Sequence, residues 1–376
     1  MNFSTSANSS SDKRLFTPGP LTTSATVKQA MQRDLGSRDR EFLDIVAEIR
    51  SELLRLGGVR PEEYTVVLVQ GSGTFGLESV ITSAVPYDGK LLVAINGAYG
   101  RRLADIAQAA RIETITVSFP EDEPIDPQAV ASALANDPHI AMTAIVHCET
   151  TTGLLNPISA IASVASRAGS RVLVDAMSSF GALPIDIAGL GIDYLVSSAN
   201  KCIEGVPGFS FAVARLSALQ ECRGRARSLC LDLFAQWRGL ESDGQFRFTP
   251  PTHAILAFRQ ALRELEEEGG VEARGRRYRA NHDVIVEEMR SMGFEPYLRP
   301  EIQAPIITAF RYPDHPGFDF KTFYQRLSDR GHLIYPGKLS QVPCFRIGNI
   351  GRLYPDDMRS LADAIREALR EMQVIA

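Results

Sequence analysis

The sequence lacks the features of a disulfide-stapled, metal-dependent or membrane-spanning protein. Its five cysteines are odd in number and include no CxxC pair, so we expect neither a disulfide framework nor a zinc site. Its six histidines show no HExxH or other ligand spacing, and metal catalysis therefore has no support. No apolar stretch approaches the roughly 20 residues that a membrane-spanning helix needs. We predict a protein without a metal and without a membrane segment.

An excess of basic residues is also missing. The net charge is −5, whereas proteins that bind nucleic acids usually carry a basic surplus. Residues 1–11 are polar and rich in serine, and they lack the apolar core of a secretory signal. We expect residues 1–13 to form a disordered tail and the protein to be cytoplasmic, without a nucleic-acid partner.

The first two-thirds of the chain alternates short apolar runs with helical patterns, which is typical of an α/β domain with a mostly parallel sheet. The predicted strands are Thr65–Val69, Lys90–Ile95, Glu113–Ser118, Thr143–His147, Arg171–Val174, Tyr194–Ser197 and Phe209–Ala214. The predicted helices between them are Gly76–Ala84, Arg101–Ala110, Pro127–Ala135 and Pro157–Ala168. Several of the strands are continuously apolar, so we expect them to be buried on both faces.

The pattern changes after a Pro-Pro pair at 250–251. A long helical stretch covers 253–292 and is interrupted at Gly269-Gly270. Beyond it we predict strands at 306–310, 333–335 and 344–347 and helices at 321–330 and 355–372. We therefore predict a large sheet domain over 14–250, linking helices over 251–293 and a small C-terminal α+β domain over 294–376.

A glycine-rich segment, residues 70–76 (QGSGTFG), stands between a predicted strand and a predicted helix. Glycines let the backbone approach a ligand closely, and the free N–H groups at a helix start attract a phosphate. Ser72 and Thr74 add hydroxyl donors. The segment also matches GxGxxG, but no acidic residue closes a strand about 20 residues later, as a dinucleotide fold requires. We therefore favour phosphate binding over NAD, with a plain tight turn as the alternative.

A carboxylate and a lysine follow two successive strands. Asp175 ends the run RVLVD, and Lys201 comes 26 residues later, after SSAN. Ligands of α/β sheets bind at the carboxyl ends of strands, so both residues are candidates for a site. If the cofactor is pyridoxal phosphate, Asp175 would keep the ring nitrogen protonated and Lys201 would be the nucleophilic amine. A lone lysine is more often a solvated surface residue, but the order of the three features favours a site.

These features occur within motifs that cover nearly the whole chain. The motifs are LFTPGPLTT (15–23), DLGSRD (34–39), QGSGTF (70–75), NGAYG (96–100), HCETTTG (147–153), VDAMSSFG (174–181), SSANKCIEGVPG (197–208), FTPPTH (248–253) and FRIGNIG (345–351). Through them the sequence resembles the class V branch of the fold-type I aminotransferases. The resemblance implies an α/β fold with a large, mostly parallel seven-stranded sheet and a small C-terminal domain. It also implies pyridoxal 5′-phosphate as the cofactor.

The resemblance implies a role for each matching position. Lys201 would form a Schiff base with the cofactor and later move a proton, and Asp175 would bind the ring nitrogen. The remaining cofactor contacts are shared among several residues: Ser72, Gly73, Thr74 and Asn200 for the phosphate, Ser198 as a helper, Tyr99 stacked on the ring, and Thr151 or Thr152 at the ring hydroxyl.

Substrate contacts follow from the same resemblance. Arg346 in FRIGNIG would bind the substrate carboxylate, which suits the planar fork of a guanidinium. Gly19 would lie at the substrate, and Arg38 stands where an aromatic residue is common in the bacterial relatives. Arg38 could supply a positive charge for a phosphonate.

Within this branch the sequence resembles enzymes that transfer the amino group of 2-aminoethylphosphonate to pyruvate, giving phosphonoacetaldehyde and L-alanine. The alternatives are alanine– or serine–glyoxylate aminotransfer on the same scaffold, a NAD-dependent oxidoreductase and a non-enzymatic binding protein. The resemblance further implies a homodimer in which Thr249 hydrogen-bonds the cofactor phosphate of the partner chain. The simpler alternative is that Thr249 caps its own helix.

Overall fold

A computed structural model describes residues 12–339 and 342–375. The strands of this part are β1 (Arg14–Leu15), β2 (Tyr64–Gln70), β3 (Lys90–Ile95), β4 (Thr114–Ser118), β5 (Ile140–Val146), β6 (Cys148–Glu149), β7 (Leu154–Leu155), β8 (Arg171–Asp175), β9 (Tyr194–Ser198), β10 (Phe209–Arg215), β11 (Ile307–Arg311), β12 (His332–Leu333), β13 (Tyr335–Pro336) and β14 (Cys344–Gly348). The tail predicted for 1–13 falls outside the described residues except for Asp12 and Lys13.

Helices cover the strands on both sides. They are α1 (Ala25–Ala30), α2 (Arg40–Leu56), α3 (Gly73–Ala84), α4 (Ala98–Ala109), α5 (Pro127–Asn136), α6 (Ile158–Arg167), α7 (Leu216–Glu221), α8 (Leu233–Ser242), α9 (Thr252–Glu268), α10 (Gly270–Ser291), α11 (Phe320–Asp329) and α12 (Pro355–Glu371), with a short 3-10 helix at Pro300–Ile302. Among these helices, none combines the length and the apolar character needed to cross a membrane.

The central sheet has seven strands in the order β2-β10-β9-β8-β5-β3-β4. β10 runs antiparallel to both of its neighbours, and every other pair is parallel. This confirms the predicted sheet and the fold class. β8 and β9 are buried along nearly their whole length, as continuous apolar runs predict. Their carboxyl ends lie side by side, since Asp175 pairs with Val196.

One long helix, α2, was not among the predicted elements. Its buried residues are Phe42, Ile45, Val46, Ile49 and Leu53, which follow the i, i+3, i+4 spacing of an amphipathic helix. Asp39 begins the helix, because its carboxylate accepts a hydrogen bond from the N–H of Glu41 at 2.8 Å. The periodic signal was therefore present in the sequence.

The C-terminal part has a core of its own. An antiparallel sheet, β11-β14-β13, packs with α10, α11 and α12 around a second hydrophobic cluster that includes Phe310, Phe323 and Phe345. The single strand predicted at 333–335 is wrong, because β12 and β13 are separate strands. β12 pairs with β1 and β13 pairs with β14, so the chain passes from one sheet to another at Ile334.

The predicted long helical stretch is present as α9 and α10. The break lies at Gly269, whose φ of +104° is left-handed and favours glycine at a helix end. The proposed domain limits at 250, 293 and 376 stay a prediction. What matters for the site is that the segment 16–20 and β14 both contact residues beyond the carboxyl ends of the central strands. The Lys201 Nζ donates to the Pro18 carbonyl at 2.7 Å, and Arg346 donates to the Thr150 carbonyl at 2.8 Å.

Candidate active site

A cavity of about 230 Å³ lies at the carboxyl edge of the sheet, next to the ends of β8 and β9. It brings together eight of the predicted site residues: Ser72, Gly73, Thr74, Tyr99, Asp175, Ser198, Asn200 and Lys201. Ligands of other α/β sheets also bind outside the carboxyl ends of the strands.

The glycine-rich segment forms the start of α3. Ser72 is the N-cap residue, but its side chain makes no capping hydrogen bond. The first N–H groups of a helix have no partner inside the helix, and they carry partial positive charge. A Cβ at Gly73 would meet the sulfur and the terminal methyl of Met177, so a larger residue there would require the Met177 side chain to move. The segment therefore offers backbone and hydroxyl donors to an anion.

Lys201 is a half-buried lysine with its amine inside the site. Its Nζ donates a hydrogen bond to the Pro18 carbonyl at 2.7 Å. Burial lowers the pKa of this ammonium, although Tyr99, Cys202 and Asp175 oppose the effect. A lysine whose charged form is disfavoured can act as a nucleophilic amine.

Asp175 is a buried carboxylate at the end of β8. One of its oxygens accepts a hydrogen bond from the Met177 N–H at 3.0 Å. Burial raises the pKa of this carboxyl to about 6, while the Met177 N–H, Lys201 and Arg102 oppose the rise. A positively charged partner at this point would therefore bind the ionised form strongly.

Tyr99 lies on the wall of the cavity in the first turn of α4. The guanidinium carbon of Arg102 lies 4.9 Å from the centre of the Tyr99 ring, and Arg102 also lines the cavity. Arg102 further donates a weak hydrogen bond, 3.4 Å long, to the Thr74 hydroxyl. Arg102 was missed from the sequence, although its place three residues after Tyr99 puts both on one helix face.

A buried carboxylate fixes the start of α4. Glu149 accepts hydrogen bonds from the N–H groups of Tyr99 at 3.1 Å and Gly100 at 3.2 Å. It also accepts one from the Thr151 hydroxyl at 2.5 Å. A negative charge at a helix start is stabilised by the free N–H groups there. Glu149 therefore holds the helix that carries Tyr99.

The three threonines of HCETTTG have different places. Thr150 lines the cavity and hydrogen-bonds the Tyr99 side chain. The Thr151 hydroxyl is bonded to Glu149, and the Thr152 hydroxyl accepts from the Leu154 N–H at 3.2 Å. The structure thus brings Thr150 to the cavity, rather than the predicted Thr151 or Thr152. Thr150 was missed because the sequence does not show the backbone conformation of the three threonines, which decides whose side chain faces the cavity.

Arg346 and Gly19 approach the site from the C-terminal and N-terminal parts of the chain. Arg346 is buried on β14, and it donates to the Pro336 carbonyl at 3.0 Å and the Thr150 carbonyl at 2.8 Å. Gly19 has a φ of +124°, and a Cβ there would lie 3.0 Å from the Lys201 amine. Gly19 therefore lies beside the Lys201 amine, and Arg346 hydrogen-bonds a residue that lines the cavity.

Arg38 and Thr249 do not line the Lys201 cavity. They line a different cavity, of about 350 Å³, together with Phe248 and Pro250. Both residues are exposed. The N-cap of α9 is Pro251, so the alternative that Thr249 caps this helix is wrong.

The chain is similar to known proteins over most of its length. Residues 22–335 match the model of the family "Aminotransferase class-V", and the chain belongs to that family. A relative from Vibrio vulnificus strain CMCP6, described as 2-aminoethylphosphonate–pyruvate transaminase, is 54% identical over 357 residues, which cover 94% of this chain and 97% of the relative.

Two solved structures are also similar. The alanine–glyoxylate aminotransferase of Nostoc sp. superposes with a TM-score of 0.88 at 27% identity, covering 96% of each chain. The pyridoxamine–pyruvate aminotransferase of Mesorhizobium loti gives 0.87 at 25% identity, covering 99% of this chain and 95% of the other. The family overturns the alternatives of a NAD-dependent oxidoreductase and a non-enzymatic binding protein.

Proposed function

We propose that this protein is a pyridoxal-phosphate-dependent transaminase that moves the amino group of 2-aminoethylphosphonate to pyruvate, giving phosphonoacetaldehyde and L-alanine. The observation that carries the proposal is the placement of Lys201, Asp175 and the start of α3 around one cavity. The identity of 54% to the Vibrio vulnificus relative supports the choice of substrates.

The chemistry of the cavity fits pyridoxal phosphate at each of its functional groups. The uncapped start of α3, with Ser72, Gly73 and Thr74, suits the phosphate. Asp175 suits a protonated ring nitrogen, since a buried carboxylate gains most from a charged partner. Tyr99 offers a ring face, and the Lys201 amine is the group that would hold the aldehyde carbon.

When bound, the cofactor supplies an electron sink for the substrate carbon that loses its proton. Lys201 would hold the cofactor and move a proton at its Nζ, a role that suits an amine whose charged form is disfavoured by burial, because burial lowers its pKa. Asp175 would keep the ring nitrogen protonated, and Asn200 and Ser198 would bind the phosphate together with the start of α3. Thr150 hydrogen-bonds the Tyr99 side chain, and the Thr151 hydroxyl accepts a hydrogen bond from the Ala98 N–H, next to Tyr99.

Arg346 binds the carboxylate of pyruvate and alanine. Its Nε–H and one N–H of one Nη are used by backbone carbonyls, which fix the guanidinium plane and leave three N–H groups on the two Nη atoms for the substrate. We expect Arg346→Lys to lower kcat/KM for pyruvate and L-alanine about 10- to 100-fold, because one point charge replaces a planar fork. Steady-state kinetics with varied pyruvate measures the effect.

A matched control is available for this variant on the neighbouring strand. Arg311 on β11 is exposed, and its guanidinium carbon lies 4.9 Å from the Tyr297 ring. We expect Arg311→Lys to leave kcat/KM for pyruvate and kcat/KM for L-alanine unchanged. Equal pyruvate kinetics for Arg346→Lys and the unmodified protein would remove Arg346 from the substrate site.

The alternative on the same scaffold is an alanine– or serine–glyoxylate aminotransferase, to which the Nostoc structure is similar. A donor screen separates the two activities. We expect the cofactor-loaded protein to form alanine from pyruvate faster with 2-aminoethylphosphonate than with serine. Glyoxylate should be the poorer acceptor. Faster transfer from serine or alanine to glyoxylate would favour the alternative.

We also propose a homodimer with shared sites. Arg38 and Thr249 are exposed together in a cavity that Lys201 does not line, so a role for them at a cofactor requires a second chain. In a two-fold dimer each chain would then lend Thr249 to the partner's cofactor phosphate. The cytoplasmic location of the enzyme stays a prediction.

Subunit mixing tests the shared site. In a hybrid of Lys201→Ala and Thr249→Ala chains, one site contains both an intact Lys201 and an intact Thr249 if Thr249 acts across the dimer. We therefore expect activity per intact Lys201 to rise after the subunits exchange. No rise on exchange, an active monomer in sedimentation, or unchanged cofactor affinity in Thr249→Ala would contradict sharing.

A further inference from the structure

A second cation stands next to Arg346 on the same hairpin. Lys338 lies in the turn after β13, and its Nζ is 4.6 Å from the centre of the Tyr99 ring. Arg346, on the paired strand β14, has its guanidinium carbon 5.7 Å from the ring of Tyr335. Tyr99 and Thr150 both line the Lys201 cavity, so Lys338 lies over one residue of the cavity wall and Arg346 hydrogen-bonds the carbonyl of another. Lys338 is exposed and Arg346 is buried, so Lys338 lies nearer to the solvent than Arg346 does.

The backbone of residues 337–339 is held against Cys344. Gly337 N–H donates to the Cys344 carbonyl at 2.9 Å, and any Cβ at Gly337 would collide with Cys344. The N–H groups of Lys338 and Leu339 hydrogen-bond to the Cys344 thiol. The backbone position of Lys338 is therefore set by its contacts with Cys344, whereas its exposed side chain can change rotamer.

Neither cation forms an ion pair with a carboxylate in the part of the chain that the structure describes. Within the described residues, no carboxylate oxygen lies within the 4.0 Å of an ion pair from Lys338, Arg346, Arg102 or Lys201. Three of these cations, Lys201, Lys338 and Arg346, affect the pKa of Tyr99. Burial alone would raise the pKa of this phenol, but Lys201, the Thr150 hydrogen bond, Lys338 and Arg346 together lower it. The outer part of the cavity therefore attracts anions.

The two substrates of the proposed reaction carry their anions at different distances. In 2-aminoethylphosphonate the phosphorus is two bonds from the carbon that bears the nitrogen, whereas the carboxyl carbon of alanine or pyruvate is one bond away. Like a phosphate monoester, a phosphonate has three acceptor oxygens and a charge between about −1 and −2 near neutral pH. Arg346 has already given two of its N–H groups to the carbonyls of Pro336 and Thr150.

Resting on the function proposed above, we propose that Lys338 is the residue that selects the phosphonate donor. Its ammonium binds the outer oxygens of the phosphonate, while Arg346 binds the inner oxygen and, in the other half-reaction, the carboxylate. The carboxylate of alanine or pyruvate lies closer to the reacting carbon than the phosphonate does, so its binding depends mainly on Arg346. Lys338 thus distinguishes a longer, more highly charged donor from an amino acid.

The two half-reactions measured separately test this proposal. The cofactor-loaded protein is mixed with 2-aminoethylphosphonate or with L-alanine, and kcat/KM is obtained for each from the change in absorbance. Lys338→Met removes the charge and keeps the length of the side chain. We expect the ratio of the phosphonate constant to the alanine constant to fall about tenfold or more, as one charge-assisted contact is lost. Lys338→Arg should restore most of the ratio.

Two further measurements exclude a general electrostatic or structural effect. Lys321→Met removes an exposed lysine on α11 and should leave the ratio unchanged. Ethylphosphonate and propionate, which lack the amine, are used as inhibitors, and Lys338→Met should weaken ethylphosphonate more. Added salt should lower the phosphonate constant more steeply in the unmodified protein than in Lys338→Met, since exposed charges are screened.

An equal loss for both donors in Lys338→Met, with weaker cofactor binding, would show that Lys338 only positions Tyr99 and would overturn the proposal. An unchanged ratio would overturn it as well. Failure of the proposed function looks different, because the unmodified protein would then not convert 2-aminoethylphosphonate at all.

Discussion

Lys201→Ala is expected to lower turnover at least about a thousandfold, since both the covalent attachment point and the proton carrier are lost. The Lys201 amine lies in the cavity with its pKa lowered by burial. Borohydride treatment of the cofactor-loaded protein should fix the cofactor to the peptide that contains Lys201. Peptide mapping by mass spectrometry after reduction identifies the residue.

The fold should survive the change, because the Lys201 amine makes one hydrogen bond, to the Pro18 carbonyl. Lys90→Ala is the control: Lys90 pairs with Glu113 and Asp137, far along the sheet from the strand ends that form the site. It should keep full turnover. Label on any other lysine, or normal turnover in Lys201→Ala, would contradict the assignment.

Asp175→Asn is expected to lower turnover about 10- to 100-fold or more, since a hydrogen bond to a charged group contributes about 1.5–3 kcal/mol. An amide cannot hold the ring nitrogen in its protonated state, and the electron sink weakens with it. The variant is close in shape and can keep the bond from the Met177 N–H. The rate per bound cofactor, measured in single-turnover experiments, reports the effect.

A second buried carboxylate provides the matched control. Asp193 stands before β9, accepts from the Val172 N–H at 2.9 Å and pairs with Arg171 and Arg215. Burial raises its pKa as it does that of Asp175. We expect Asp193→Asn to lower Tm and to keep turnover per bound cofactor. Similar losses of turnover in both variants would show that Asp175 acts only through stability.

The sheet could be predicted from the sequence because its strands carry a strong local signal. Runs such as RVLVD and YLVSS are apolar throughout, and burial on both faces explains that pattern. The strand predicted at 333–335 failed because pairing with β1 and with β14 is decided by tertiary contacts. The helix α2 carried a periodic pattern that was overlooked.

The sequence could predict that two residues of the candidate site lie close together when each stands at or shortly after the end of a strand. Asp175 and Lys201 follow adjacent strands, and the start of α3 faces them. Whether Thr150 faces the cavity depends on the backbone conformation of a turn, and whether Arg102 does depends on which face of α4 is directed towards it. Spacing in the sequence determines neither. Lys338 depends on a hairpin that brings a turn from the C-terminal part to Tyr99. Contacts between distant segments of this kind have no local signal.

The most direct test of the proposed transamination is a stepwise single-turnover measurement. The cofactor-loaded protein is given 2-aminoethylphosphonate alone, freed of small molecules, and then given pyruvate alone. We expect about one equivalent of phosphonoacetaldehyde per intact Lys201 in the first step and about one equivalent of L-alanine in the second, as a ping-pong mechanism requires. No aldehyde in the first step, or no alanine in the second, would contradict the proposed function.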